Sequence, residues 1–187
     1  MKAWVLNSDS EHDIFAYVNS KEARAKISEF RFHQMRIDGN WNPLEIRTLE
    51  KMGRNSSYHS ELLLPVIDDK AAKILHHLLR ESDVELLSLL HIEGQYWGLN
   101  FPHLLDCIDV EKSIFTLFSD GGVMEYKKFA FHESVITNSG FSIFRAKVHD
   151  MEKLSTGHTF VTSRFKDLVE QSGLVGFKFT EVWDSNQ

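Results

Sequence analysis

The chain switches between two hydrophobic periods, and the switches mark its elements. "FVTSRFKDLVEQSGLVGFKFTEVW" (160–183) begins as a short strand and then sets Phe165, Leu168 and Val169 at helical spacing. Thr162 or Ser163 can cap that helix, although Lys166 rather than Glu follows Ser163 by three, so the capping box is incomplete. Gly173 falls where a left-handed C′ residue is wanted, and Leu174 can fold back on Val169. After Gly176 the period becomes two. Phe177, Phe179, Glu181 and Trp183 are then expected on one strand face, with Lys178, Thr180 and Val182 on the other. This unit predicts a helix over 163–172 and a strand over 177–183, and nothing in it is chemistry.

Upstream, 2–6 and 13–18 read as short strands, and "SKEARAKISEF" (20–30) as a helix capped by Ser20. Residues 31–59 are polar and irregular around one short strand near Glu45–Leu49. "PVIDDKAAKILHHLLRES" (65–82) is the clearest helix. Asp68 caps it, Asp69 sits at the positive end of its dipole, and Ala71, Ile74, Leu75 and Leu78 form the buried stripe. "VELLSLLHIEGQYWGLNF" (84–101) predicts strands near 86–92 and 95–100, turning at Glu93-Gly94 on a glycine with positive φ. "HLLDCIDVEKS" (103–113) reads as a short helical turn holding Leu104, Leu105 and Ile108 inward. Strands are expected at 113–118, 126–132 and 142–148. Hairpins and helices that segregate, rather than alternate, predict an α+β fold with a mainly antiparallel sheet and a few packed helices. The irregular stretch suggests a seam between an N-terminal strand, helix and loop region (1–59) and an α+β domain (60–187), unless both form one continuous unit.

Composition narrows the class. With 42% hydrophobic residues, 12% aromatic residues and 3 Pro in 187, the chain can build a core and is not disordered. Cys107 is the only cysteine, which excludes an internal disulfide and suits a reducing cytoplasm. The apolar run in "MKAWVLNSDSEHD" is too short for a signal peptide, and no stretch approaches the roughly 20 apolar residues of a membrane span. A cytoplasmic protein without membrane association is the expectation. The net charge of −6 is uneven: residues 1–54 hold 9 Lys+Arg against 8 Asp+Glu, and the remainder 12 against 19. That field disfavours nucleic acid and favours a basic partner, or serves only solubility.

The sequence contains no catalytic constellation. His76 and His77 are adjacent on a helix and point about 100° apart, so they cannot address one ion as an i, i+4 pair would. His149, Asp150, Glu152 and His158 match no zinc spacing and read as a polar loop. His91 and Glu93 straddle a hairpin tip as exposed turn residues. Ser139 lacks the glycines of a nucleophile elbow and belongs to an ordinary loop, and the glycine-rich phosphate-binding patterns are absent. Gly121-Gly122 reads as a hairpin turn. Asp106 and Asp109 flank Cys107 in an apolar context, which raises rather than lowers a thiol pKa. No cofactor, metal site or catalytic residue is expected.

The closing "TFVTSRFKDLVEQSGLVGFKFTEVW" and "VELLSLLHIEGQYWGLNFPHLLDCIDVEKSIF" (84–115) carry a resemblance. In strand order, a G-L-x-G-F-x-F step and a run with Tyr96, Leu99, Asn100, Leu105, Asp106, Cys107, Asp109, Glu111, Lys112 and Ser113, residues 60–184 resemble family eleven of the bacterial immunity proteins found beside polymorphic toxins. Residues 1–59 match nothing in that pattern. The resemblance implies a non-enzymatic antitoxin that binds and neutralises a cognate toxin, with nucleases of basic cleft among the candidate toxins. Candidate contacts are Tyr96, Trp97, Asp106, Asp109 and Glu111, joined by Trp41 and Tyr58. Against these roles, Tyr96 or Trp97 should face the core, and Asp106 and Asp109 can simply cap their turn. The rival classes are a small metal-dependent hydrolase using some of the ten histidines and a module that self-associates through the edge of its last strand.

Overall fold

The computed structural model describes residues 1–9, 13–33, 35–37, 39–52, 58–60, 62–119, 123–148 and 151–186, with only the backbone described at 29–33 and 151–155. In chain order the elements are β1 (Lys2–Ser8), β2 (Ile14–Tyr17), α1 (Ser20–His33), β3 (Leu44–Glu50), β4 (Tyr58–His59), β5 (Val66–Asp68) and α2 (Asp69–Glu81). There follow β6 (Glu85–His91), β7 (Gly94–Asn100), β8 (Leu104–Leu105), β9 (Ile114–Leu117), β10 (Val123–Lys128) and α3 (Glu133–Ser139). The chain closes with β11 (Ile143–Val148), β12 (Met151–Ser155), β13 (Thr159–Thr162), α4 (Ser163–Ser172) and β14 (Phe177–Asp184). The fold is α+β and mainly antiparallel. One sheet runs β12-β11-β13-β1-β14, with β8 parallel to β11; a second runs β2-β3-β6-β7-β5-β4, with β3 parallel to β6; β9 and β10 pair only with each other.

Strand β1 shows why three cores form. Ala3 and Val5 point to one face and Trp4 and Leu6 to the other, and all four are buried. A strand that is apolar on both faces belongs inside a sheet, and β1 indeed lies between β13 and β14. Trp4 and Leu6 pack with α2 and with Phe165 and Val169 of α4. Ala3 and Val5 pack with Phe144, Phe160, Phe129, Phe131 and Ile136. The third core lies under the second sheet, where α1 sets Ala23 and Ile27 against Phe15, Ile46, Leu87, Leu89 and Tyr96. Residues 1–59 therefore supply strands to both sheets.

Helix α2 forms as its pattern predicts. Asp68 accepts the Ala71 amide at 2.7 Å, Asp69 pairs with Lys73 at 2.5 Å, and Ala71, Leu75 and Leu78 are buried while Ile74 is half-buried. Burying each leucine contributes about 1.5–3 kcal/mol. Helix α4 also ends as expected, with Gly173 at φ 64° and Leu174 and Val169 in one cluster.

Several expectations are corrected. Asn19, not Ser20, caps α1: its Oδ1 accepts the Glu22 amide at 3.1 Å, and its Nδ2 donates to Glu22 Oε2 at 3.0 Å. The β6–β7 turn is Ile92-Glu93, and Gly94 opens β7 opposite His91 without positive φ. Residues 103–113 are not helical: β8 docks on β11, Leu104 is only half-buried, and Ile108 bridges Phe131. Ser139 ends helix α3, closed by Gly140 at φ 71°, and does not lie in a loop. Residues 151–155 form β12, although 149–158 read as a polar loop. Strand β10 ends at Lys128, short of the expected 132. The pair Gly121-Gly122 lies outside the described residues, as do His149 and Asp150.

The face of β14 also changes along its length. Glu181 stands opposite Trp4 but Trp183 stands opposite Ala3, so Val182 is an extra residue in the ladder. Phe177 and Phe179 therefore pack with Trp4 and Leu6, while Val182 and Trp183 join Ala3 and Val5 on the other side. Strict alternation fails at that bulge.

Candidate partner-binding surface

His91, Glu93 and Cys107, which prompted chemical readings, serve structure. Among the described residues no group of three or more His, Cys, Asp or Glu could hold a metal ion, and no helix is long and apolar enough to cross a membrane. His91 Nε2 meets Thr48 Oγ1 at 3.2 Å, its Nδ1 accepts the Glu93 amide, and Glu93 pairs with Lys51 at 2.6 Å. Cys107 is fully buried, and burial, with Asp106 second, pushes its thiol up to about 12. Burial also holds the His158 imidazole below its ordinary pKa.

The candidate contact residues separate into three groups. Tyr96 and Tyr58 are core side chains, only 6% and 1% exposed, so they offer a partner no surface. Tyr96 has Phe15 and His91 around its ring, and burial pushes its phenol up to about 12; Tyr58 lies against Phe177. Trp97 and Trp41 are half-buried. Trp97 packs on the α2 core, while Trp41 donates its indole N–H to the Ser88 carbonyl at 2.7 Å under the Lys26 ammonium. Asp106 and Glu111 are exposed, Asp106 lying 3.9 Å from Lys147.

Asp109 is a correction to the expected acidic patch. It is 5% exposed. Its carboxylate accepts the Lys112 amide at 3.2 Å and the Lys112 ammonium at 2.9 Å, with His132 Nδ1 at 3.8 Å. The Lys112 ammonium, first of all, holds that carboxyl below its ordinary range. The Asp109 amide donates to the Ala130 carbonyl, and the Ser113 amide to the Asp109 carbonyl, each at 2.9 Å. Asp109 thus closes the turn from which β9 leaves and to which the chain returns after β10.

What that turn launches was not singled out by sequence. On the inner face of the β9–β10 ribbon Tyr126 stands opposite Phe115 and stacks on Phe129 at 4.8 Å. Ile114, Leu117, Phe118 and Met124 instead face water, each more than half exposed, while Val123 is half-buried. Met124 and Lys127 have no residue opposite them, so the ladder is bulged twice. The available signal was apolar excess, because "SIFTLF" and "VMEYKKF" hold more large side chains than one inner face can hide. A second exposed apolar pair, Leu90 and Ile92, lies at the β6–β7 turn, with Ile92 98% exposed.

Much surface acidity is matched locally, as in Glu81–Arg164, Glu93–Lys51, Glu170–Lys166 and Glu181–Lys2. Glu111 and Glu125 have no ion-pair partner among the described residues. Residues 80–183 match the model of the immunity protein family (Imm11). The chain belongs to this immunity protein family. The match runs from the last turn of α2 to β14 and takes in Asp106, Glu111 and the whole ribbon. No curated protein matches the chain. Over the matched span the immunity protein carries 10 Lys+Arg against 15 Asp+Glu, so its acidic excess lies within the family region.

Proposed function

We propose that this immunity protein binds a cognate antibacterial toxin in the cytoplasm and neutralises it by covering its active surface, without chemistry of its own. The family match over 80–183 carries the reading. The acidic excess of that span suits a toxin with a basic surface, such as the cleft of a nuclease, and Asp106 and Glu111 are the exposed carboxylates best suited to meet it. Trp97 and Trp41 are secondary candidates, since each is half-buried rather than buried.

The test is co-expression with the protein encoded by the adjacent reading frame. The expected result is survival of cells that the adjacent protein alone kills, together with a stable complex that elutes as one species. A rescued cell containing a covalently altered toxin and no complex would overturn the binding mechanism. Failure to rescue would overturn the function.

A further inference from the structure

We propose that the β9–β10 ribbon is the wedge by which this protein holds its toxin, its exposed apolar side chains entering an apolar pocket rimmed by Lys or Arg; the inference rests on the function proposed above. A two-stranded ribbon is marginal in water, yet this one pairs with neither large sheet and leaves Ile114, Leu117, Phe118 and Met124 more than half exposed. Such a concentration of exposed apolar surface marks a site that another protein covers. Charge separates it from the rival group at the β6–β7 turn. There the adjacent carboxylate, Glu93, is already neutralised by Lys51 at 2.6 Å. At the ribbon Glu111 stands at the base and Glu125 on β10, both exposed and without an ion-pair partner among the described residues, ready for cations on the toxin. Phe118 is the aromatic anchor, and Met124, extruded by its bulge, adapts to the pocket wall.

The experiment co-expresses the full chain with the adjacent reading frame's product and measures affinity and cell survival. Three forms are compared: wild type, Leu117→Ser/Phe118→Ser/Met124→Ser, and the control pair Leu90→Ser/Ile92→Ser, each checked for fold by circular dichroism. The ribbon variant should bind at least about 100-fold more weakly and lose protection, while the control stays within about threefold of wild type. If the triple variant does not fold, Phe118→Ala alone should lose about tenfold. A folded ribbon variant that binds like wild type, or equal loss in the control pair, overturns the wedge and leaves the function standing. A wild type that neither binds nor protects overturns the function, and the wedge with it.

Discussion

Trp183 stands opposite Ala3 in the β1–β14 ladder, although its position in the period-two pattern of β14 would set it beside Phe179 on the other face. Val182 is the inserted residue that makes the difference. The insertion lets one strand serve two cores, with Phe177 and Phe179 in the first and Trp183 against Phe131 in the second, ring centroids 5.6 Å apart. Trp183→Ala should remove the ring that the bulge delivers to the second core. The expected cost is about 3 kcal/mol, the scale of losing one large core side chain. For a chain of this length that lowers Tm by roughly 6–12 °C. An unchanged thermal melt would show that the end of β14 contributes nothing to the second core.

Asp109→Asn should loosen the base of the ribbon without unfolding the sheets, because it removes the anion from the Lys112 and His132 contacts. The pH dependence has a definite sign. The folded carboxyl lies below its ordinary 3.8, so its contribution is complete above that value and fades as pH falls beneath it. Wild type should exceed the variant in stability by a constant margin from pH 7 to 5, and the margin should shrink below 3.8. Denaturant melts at several pH values measure it, and hydrogen exchange at residues 113–128 locates it. A margin that grows on acidification would mean that Asp109 is not held as an anion.

Period and punctuation made much of this fold readable before any coordinates. α2, α4, the β6–β7 hairpin and β14 follow from apolar spacing, Asp68, Gly173 and Gly176. The misses have physical causes. Helix α3, "ESVITNS", is seven residues long with Val, Ile and Thr inside it, so propensity hid it and the packing of Ile136 forms it. β8 is a two-residue strand held by pairing to β11, a long-range contact that no local pattern encodes, whereas β12 is the return strand of a hairpin with β11 whose polar residues read as loop. At the candidate surface, motif residues such as Tyr96 and Asp109 proved to build the scaffold, whereas Leu117, Phe118 and Met124, exposed on the ribbon, belong to no motif. Exposure is a tertiary property, and spacing alone could not separate Phe115, turned inward, from Leu117, two residues on in the same strand and more than half exposed.

Cys107 should be inert in the folded protein. Burial and the neighbouring Asp106 push its thiol up to about 12, so at pH 8 only about one molecule in ten thousand carries the reactive thiolate. A disulfide reagent should label the native protein no faster than it unfolds, and denaturant should release one full equivalent at once. Rapid native labelling would mean that the region around β8 opens locally.

The last prediction concerns how the toxin is captured. With Asp109 buried in its turn, reversing three carboxylates together would damage the scaffold, so the informative variant is Asp106→Lys/Glu111→Lys, whose side chains both face solvent. If exposed carboxylates steer a basic toxin, association slows as salt rises, because the Debye length falls from about 30 Å at 0.01 M to about 8 Å at 0.15 M. Wild type should therefore associate several-fold faster at 0.01 M salt than at 0.15 M, and the double variant should lose most of that acceleration. Its dissociation rate should change far less, since rim charges act on encounter while the buried apolar contacts govern release. Stopped-flow mixing of both forms with the toxin at the two salt concentrations measures all of these rates. Equal association rates in the four combinations would remove steering from the mechanism and return Asp106 and Glu111 to solvated surface. A fast, salt-dependent rate that survives in the double variant would move the steering charge to Glu125 on the ribbon itself.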